Sequence, residues 1–267
     1  MNQPQVRSPA FYLKGCDWLH HNCAPLLPEG VGTYRVRMLR NANTVHPALG
    51  VAIAPPTLEG RLVHIGDSFA VLQEGADCFT VFDFCMLGLT APPLNSRITL
   101  TPYRARDFDG VSLYELPAAE RDGNKTLLGK RRCVPPVDPQ SDYLKHLVDQ
   151  LAHMPAPDGV RSIAESLVDA GARRSGVSIQ EDPAEGLYSI TFTVSSGIFD
   201  GTLTIGYLPG KDLYWIKLAE KNDEPVVIED VYFDMLGEII DNAIDDARWM
   251  AADITVLEAG EACTQAA

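Results

Sequence analysis

The spacing of apolar residues changes at a proline-rich segment, and this change constrains the fold more than any other feature of the chain. Residues 133–140, Cys-Val-Pro-Pro-Val-Asp-Pro-Gln, hold three prolines in eight positions. Because proline fixes its own φ and restricts the residue before it, we expect an extended segment without helix or strand. The sequence therefore predicts two domains, residues 1–132 and residues 141–267, joined by a linker.

The half before the linker has the alternation of apolar and polar side chains that is typical of strands. Gly66-Asp67 predicts a hairpin turn, Pro102 predicts a strand end or a sheet edge, and a short helix is expected between Gly15 and Leu27. Strands are predicted at residues 33–38, 61–65, 68–73, 78–84 and 97–103. Because four of them fall within about 45 residues, they indicate a small, bent antiparallel sheet or barrel.

The half after the linker begins with helical spacing and continues with strands. Leu144, Leu147 and Leu151 recur at the spacing of one helix face. Ser141 before them is a residue type that caps helix N-termini, and a second helix is expected to start after Asp158 in the same way. Strands are predicted at residues 187–194, 202–208, 213–218 and 225–228, followed by a long helix at 230–250. The whole chain is therefore predicted to be α+β, and this half to be an antiparallel meander with helices on one face.

The acidic charge of the chain lies in its second half. The formal net charge is -14; residues 1–140 carry 14 Lys and Arg against 13 Asp and Glu, whereas residues 141–267 carry 8 against 23. The halves therefore differ in net charge, at +1 and -15. Such an asymmetry indicates two surfaces with different partners.

The cysteine content and the lengths of the apolar runs indicate the cellular location of the protein. Six cysteines are spread thinly over the chain, and neither an export signal nor an apolar run of about 18 residues is present. We therefore expect free thiols, a cytoplasmic location and no membrane span.

No motif for catalysis, a cofactor or a metal is present. The chain has no G-x-S-x-G, H-E-x-x-H or P-loop sequence, and no G-x-G-x-x-G after a strand. Cys16, His20, His21 and Cys23 lie close together, but the two cysteines are seven positions apart. Finger-type zinc sites pair cysteines about two to four positions apart. We expect no metal, no cofactor and no catalytic residue, so the sequence favours a protein that is not an enzyme.

Basic residues of the first half form a candidate phosphate-binding face. Small barrels bind single-stranded nucleic acid through such a groove together with stacking aromatic side chains, for which Tyr103 and Phe108 are placed suitably in the sequence. The near-neutral charge of this half favours instead a mixed, solvated surface. The candidate contacts are Arg35, Arg37, Arg104, Arg106, Lys130, Arg131 and Arg132.

Four carboxylates share one stripe of the predicted long helix. They recur at spacings of four, three and four residues and are Asp234, Glu238, Asp241 and Asp245. The opposite face is predicted to contact the core through Phe233, Leu236, Ile240, Ala243 and Ala247. The stripe is either a plain solvated face or a surface that binds a basic protein. A metal site is less favoured, because the carboxylates lie along an axis and do not converge.

Three segments of the first half, Glu59–Gln73, Thr80–Asp83 and Pro93–Tyr103, form a series of short predicted strands. In this series residues 59–103 resemble the KfrB-like domain of plasmid-encoded proteins, whose members typically show G-x-I/V-V, A-x-Q, V-x-H-D-like and V-x-I-x-Y strands. Phe82 stands where the family usually has His. The resemblance implies a small β-barrel module without catalytic activity, in the setting of a mobile genetic element.

Three functions remain open from the sequence. The leading hypothesis is an accessory or regulatory protein of a plasmid or integrative element, which acts by binding another protein. The second is an acidic inhibitor that imitates DNA and binds a host or defence protein. The third is a hydrolase whose site has no local motif. Nucleic acid is a less favoured partner than protein.

Overall fold

The computed structural model describes residues 10–39, 44–45, 52–53, 55–88, 90–114, 131–221 and 223–260. The chain divides into two compact units. Unit 1 comprises Met1–Val45, Ala54–Tyr103 and Trp249–Ala267, and unit 2 comprises His46–Ile53 and Arg104–Arg248. This division differs from the predicted boundary at residues 132–141, because the chain returns to unit 1 after Arg248.

Four helices and thirteen strands occupy the described residues. The helices are α1 (Ala10–Asn22), α2 (Asp142–His153), α3 (Ile163–Asp169) and α4 (Leu236–Ile244). The strands are β1 (Arg35–Leu39), β2 (Thr44–Val45), β3 (Ala52–Ile53), β4 (Leu58–Ile65), β5 (Phe69–Gln73), β6 (Cys78–Asp83), β7 (Arg97–Thr101), β8 (Val177–Asp182), β9 (Leu187–Ser195), β10 (Asp200–Leu208), β11 (Leu213–Glu220), β12 (Val226–Val231) and β13 (Asp253–Glu258). Short 3-10 helices occupy Ala24–Leu26, Phe84–Leu87, Arg174–Gly176, Phe233–Met235 and Arg248–Met250.

Unit 1 is built on a six-stranded sheet with the order β1-β6-β5-β4-β7-β13. The hairpin β4-β5 turns at Gly66-Asp67, and β7 ends one residue before Pro102, as the sequence predicts. The sheet is open, with edges at β1 and β13, so the predicted barrel is wrong while the predicted small sheet is confirmed. Strand β1 pairs parallel with β6 and β13 pairs antiparallel with β7, and among the described strands neither has a second partner.

The middle strands of this sheet, β4 to β6, have buried residues on both faces. Helix α1 packs on one face, where Gly15 allows a close approach, since a Cβ at this position would lie 2.3 Å from Cγ1 of Val81. The apolar cluster under α1 includes Leu19, Val71 and Phe79. The other face is covered by a second cluster, whose fully buried members are Leu62, Ala70, Leu72, Phe82, Met86, Ile98 and Leu100.

Unit 2 is built on a five-stranded antiparallel meander with the order β12-β11-β10-β9-β8. Strand β9 has the predicted alternation, with Tyr188, Ile190, Phe192 and Val194 buried. Helix α2 packs on β9 and β10, and α3 packs on both α2 and α4. The predicted meander is therefore confirmed, with one strand more than predicted, because β8 has too little apolar character to be recognised in the sequence.

Helices α2 and α3 of unit 2 have side-chain N-caps. The Oγ of Ser141 accepts a hydrogen bond from the backbone N–H of Leu144 at 3.2 Å, which confirms the predicted start of α2. Helix α3 starts at Ser162, not at Asp158, because Ser162 and Glu165 form a reciprocal capping box. Asp158 instead accepts hydrogen bonds within the preceding turn, from the backbone N–H groups of Val160 and Arg161.

The predicted long helix at residues 230–250 is wrong. Strand β12 continues to Val231, and Asp230 has a φ of 53° next to an irregularity in its pairing with β11. Helix α4 then covers only nine residues. It buries Leu236, Ile240 and Ile244, which are four residues apart. Phe233 precedes α4 and is exposed.

The proline-rich segment has neither helix nor strand, as predicted. It is nevertheless packed within unit 2, since Cys133 and Pro135 are buried. At its end, the backbone N–H groups of Gln140 and Ser141 both donate to Oε1 of Glu181, each at 3.1 Å. The segment therefore lies inside one of the two compact units.

Candidate protein-binding surface

The predicted basic face is distributed over both units. Arg35 and Arg37 lie side by side on the exposed face of edge strand β1 in unit 1, where Arg35 pairs with Asp77 at 3.4 Å and Arg37 with Glu74 at 3.6 Å. Their positive charge is therefore partly neutralised by carboxylates of the same unit.

The other basic candidates belong to unit 2. Arg106 and Arg132 are exposed, whereas Arg104 and Arg131 are half-buried. Arg131 pairs with Asp107 at 3.5 Å. Lys130 lies outside the described residues. The structure thus does not bring the six described candidates together on one face of either unit.

The two aromatic side chains expected to stack on bases have other contacts. Phe108 is buried and stacks on Phe192, with ring centroids 5.9 Å apart. Tyr103 packs edge-on against Trp249 at 5.5 Å. Because Phe108 lies in the core of unit 2, it is not accessible to a nucleic-acid base.

The four carboxylates of the predicted acidic stripe separate into two pairs. Asp234 and Glu238 are exposed. Asp241 and Asp245 lie on α4 and at its end and both contact the guanidinium of Arg161. The predicted single solvent-exposed stripe is therefore wrong, because Arg161, far away in the sequence, binds two of its members.

Arg161 is the centre of an ion-pair cluster inside unit 2. Its side chain is 0% exposed, and Nε lies 2.7 Å from Asp158, Nη1 lies 3.1 Å from Asp169 and Nη2 lies 2.8 Å from Asp245. Burial by itself lowers the pKa of Arg161, but hydrogen bonds to Asp245 and Asp158 raise it, so the guanidinium is charged. The cluster holds both ends of α3 and the end of α4 together, which is a structural role.

Unit 2 exposes a group of large apolar side chains within ten residues of the chain. We call this group the apolar edge patch; its members are between 45% and 60% exposed and are Val226, Val227, Tyr232, Phe233 and Met235. The first two lie on β12 and the others on the short 3-10 helix and just before it. Single exposed apolar residues are ordinary, whereas contiguous apolar surface marks an interaction site, so this run along one sheet edge is the candidate interaction surface.

The strand that carries the start of the patch is an edge of its sheet. Among the described strands, β12 pairs with β11 alone. An edge strand presents unpaired backbone N–H and C=O groups along its free side. Val226 lies opposite Leu218 and Val227 opposite Lys217, so the two valines lie on opposite faces of the sheet. Apolar side chains thus flank the free edge on both faces.

An acidic rim surrounds the apolar edge patch. From Asp223 to Ala247 the sequence contains no Lys, Arg or His. Asp230 pairs with Lys211 at 3.5 Å, at a position where both side chains are mostly exposed. The other exposed carboxylates of the rim are Asp223, Glu224, Glu229, Asp234 and Glu238. Lys217, opposite Val227, and Lys211 offset part of this charge, and the acids outnumber them, so the field at the patch is negative.

A small cavity opens beside the start of β12. Its volume is about 240 Å³, and it is lined by Ile198, Phe199, Leu218, Glu220, Asp223, Glu224, Val226 and Ala243. Pockets for small ligands and cofactors usually measure about 300–1,000 Å³. This cavity is smaller and mostly apolar with acidic residues among its lining, so it suits a side chain of a partner better than a cofactor.

The apolar edge patch was missed in the sequence because Phe233 was assigned to a helix core. The signal that could have revealed it is the lack of alternation: Val226, Val227 and Ile228 are consecutive, and Tyr232 is followed by Phe233. Consecutive apolar residues place apolar side chains on both faces of a strand. On an edge strand with acidic neighbours, such a run indicates an exposed patch.

Comparisons with known proteins give no relative: no known family, no curated protein and no solved structure matches this chain. The resemblance of residues 59–103 to the KfrB-like domain stays a prediction. None of the helices in the described ranges is long and apolar enough to cross a membrane. Within the same ranges, no group of three or more His, Cys, Asp or Glu side chains is placed to hold a metal ion.

Proposed function

We propose that this protein is not an enzyme and acts by binding another protein, and that unit 2 carries the binding surface. The observation that carries the proposal is the apolar edge patch, five large apolar side chains on and after an edge strand. Burying such side chains against a partner is favourable, by about 25 cal/mol for each Å² of apolar surface removed from water. Because the rim is acidic, we expect the complementary surface of the partner to be an apolar strip flanked by basic side chains.

The proposal places the protein in the cytoplasm and in the setting of a plasmid or integrative element. Four of the described cysteines, Cys16, Cys23, Cys78 and Cys85, are free thiols, which supports a reducing compartment. The mobile-element setting rests on the KfrB-like resemblance of residues 59–103.

A DNA-mimicking inhibitor has less support. Four carboxylates of the acidic half, Asp158, Asp169, Asp241 and Asp245, surround Arg161 and do not form a free negative surface. The centre of the candidate surface is apolar, whereas the backbone of duplex DNA is charged along its whole length. A partner that buries apolar side chains therefore fits this surface better than a DNA-binding protein that recognises only negative charge.

The experiment compares the partners captured by three forms of the full chain. The first is the wild type, the second carries Tyr232→Ser with Phe233→Ser, and the control carries Val111→Ser with Val134→Ser, which are exposed apolar positions of unit 2 outside the patch. We expect one protein to be captured by the wild type and by the control but lost by the patch variant. Titration of the purified partner then gives the dissociation constants. A partner that binds the patch variant as tightly as the wild type overturns the proposal.

A further inference from the structure

We infer that unit 2 binds its partner by strand addition, in which an extended segment of the partner pairs with the free edge of β12. The occupant is a segment that alternates Lys or Arg with Val, Ile or Leu. The inference rests on the proposed function and adds to it the conformation and the chemistry of what is bound.

The backbone of β12 supplies the first reason. Strand β12 extends over six residues and lies at the end of its sheet, so its outward N–H and C=O groups have no strand beside them among the described residues. A peptide that pairs with these groups gains affinity from main-chain hydrogen bonds and specificity from its alternate side chains. Six residues match the length of an ordinary strand, which is about five to six residues.

The side chains of β12 supply the second reason. Natural proteins protect sheet edges with charged or polar side chains. The opposite edge of the same sheet, β8, follows this rule, since its exposed residues are Ser178 and Gln180. Strand β12 exposes Val226 and Val227 in its first half and the charged Glu229 and Asp230 in its second, so only its first half lacks the polar protection that β8 has.

The charge of the rim decides between a second copy of this chain and a different partner. In a two-fold pairing of β12 with itself, the exposed Glu224, Glu229 and Asp234 of both copies approach one another. Lys217, opposite Val227, and Lys211, paired with Asp230, offset only part of this negative charge. Like charges placed opposite each other destabilise a strand pair, whereas Lys and Arg on an added strand pair favourably with this rim. The occupant is therefore a basic segment of another protein.

The probe is a capped peptide of about eight residues in which Lys alternates with Val. One control peptide has Glu in place of Lys, and a second has two of its valines replaced by Pro, which cannot donate to a strand ladder. Binding to the full chain is measured by calorimetry, and amide hydrogen exchange is followed by NMR. We expect the Lys-Val peptide to bind, the Glu peptide not to bind, and the Pro peptide to bind at least about tenfold more weakly.

Hydrogen exchange identifies the mode of binding. In strand addition, the outward amides of β12 become protected at every second residue, and the amides of β8 do not change. Protection of β12 in this pattern supports the inference. Binding of the Lys-Val peptide without it, equal binding of the Pro peptide, or no binding of any peptide overturns the inference. None of these results contradicts the proposed function. That proposal is tested separately, by whether the variant with Tyr232→Ser and Phe233→Ser loses the captured partner.

Two proline variants of the protein provide a second test. Successive residues of a strand direct their backbone N–H groups to opposite sides, so only one of Val226 and Val227 donates towards β11. We expect one of Val226→Pro and Val227→Pro to keep the wild-type melting temperature and to bind the Lys-Val peptide at least about tenfold more weakly. The matched control is Ser178→Pro or Ile179→Pro on β8, whichever keeps the melting temperature, with unchanged binding. If a β12 variant that keeps the melting temperature binds as the wild type does, strand addition is wrong.

Discussion

The guanidinium of Arg161 lies 2.8 Å from the carboxylate of Asp245, 84 positions later in the chain, with the arginine side chain fully buried. This pair decides which carboxylates of unit 2 are available to a partner. Asp241 and Asp245 belong to the interior cluster, whereas Asp234 and Glu238 remain on the surface. The structural and the binding roles of these four acids are thereby separate and can be tested separately.

Removal of Arg161 should strongly destabilise the protein. In Arg161→Met, four carboxylates lose their shared cation while they remain largely buried, and breaking a buried ion pair costs about 3–5 kcal/mol. Arg174→Met is the matched control, because Arg174 makes an exposed pair with Asp109 and such pairs contribute about 0–1 kcal/mol. Urea denaturation measures both variants. Equal free energies of unfolding for the two would contradict a structural role for the Arg161 cluster.

Two aspartates of unit 2 should respond to pH in opposite directions. Burial raises the pKa of Asp241, as does the charge of Asp245, and Arg161 compensates only in part. Stability contributed by Asp241 is therefore present at acid pH and lost as the pH rises through its folded pKa. We therefore compare the free energies of unfolding of Asp241→Asn and the wild type. We expect the value of the variant minus that of the wild type to become more positive as the pH rises from acid to neutral.

Asp246 is the counterpart with a lowered pKa. Burial acts to raise its pKa, but hydrogen bonds from the backbone N–H groups of Gly197 and Arg248, with the charge of Arg248, outweigh it. Its stability contribution is present above the unfolded pKa and lost as the pH falls through the folded one. Asp246→Asn should therefore cost about 1 kcal/mol at neutral pH and little at acid pH. Denaturation curves over this range check both signs.

A methyl group at Gly206 should displace the indole of Trp215. A Cβ at this position would lie 1.9 Å from Cε2 of the indole, which crosses the glycine from the neighbouring strand. We expect Gly206→Ala to shift the indole N–H signal of Trp215 in NMR spectra and to cost about 1–3 kcal/mol. Gly210→Ala is the control, since nothing lies within 4 Å of a Cβ there. An unchanged Trp215 signal in Gly206→Ala would show that the indole does not cover the glycine.

Much of the fold could be predicted because it depends on local spacing. The alternation in β9, the turn at Gly66-Asp67 and the cap at Ser141 each specify structure within a few residues. The pairing of β13 with β7 could not be predicted, because it joins segments about 150 residues apart and depends on burial that the sequence does not encode locally.

The candidate site was predicted less well, for a physical reason that Asp230 illustrates. The apolar residues around it recur at helical spacing, but its φ of 53° ends that regularity and lets β12 run on to Val231. Helical spacing also does not reveal which acidic side chains form ion pairs with a buried basic residue. Asp241 and Asp245 have the same spacing as exposed acids, and only the position of Arg161 distinguishes them.

The two exposed acids should control the rate of binding. Asp234→Asn with Glu238→Gln leaves the interior cluster intact, so we expect an unchanged free energy of unfolding, within about 0.5 kcal/mol. Association with the Lys-Val peptide should be slower and should depend less on salt, because rim charges act mainly on the rate of encounter. Stopped-flow measurements at several salt concentrations test this. Asp241→Asn with Asp245→Asn is the comparison, and it should change stability with little effect on the association rate.

Phe233 and Leu236 provide the sharpest test of where α4 begins. A helix through residues 230–250 places both side chains in the core, whereas the structure leaves Phe233 60% exposed and Leu236 0% exposed. We therefore expect Phe233→Ser to change the free energy of unfolding by no more than about 0.5 kcal/mol. Leu236→Ala should cost about 2–5 kcal/mol, because it leaves a cavity in the core of unit 2. Urea denaturation of the full chain measures both; a large loss in Phe233→Ser would mean that this side chain is buried and that the apolar edge patch is smaller than the structure indicates.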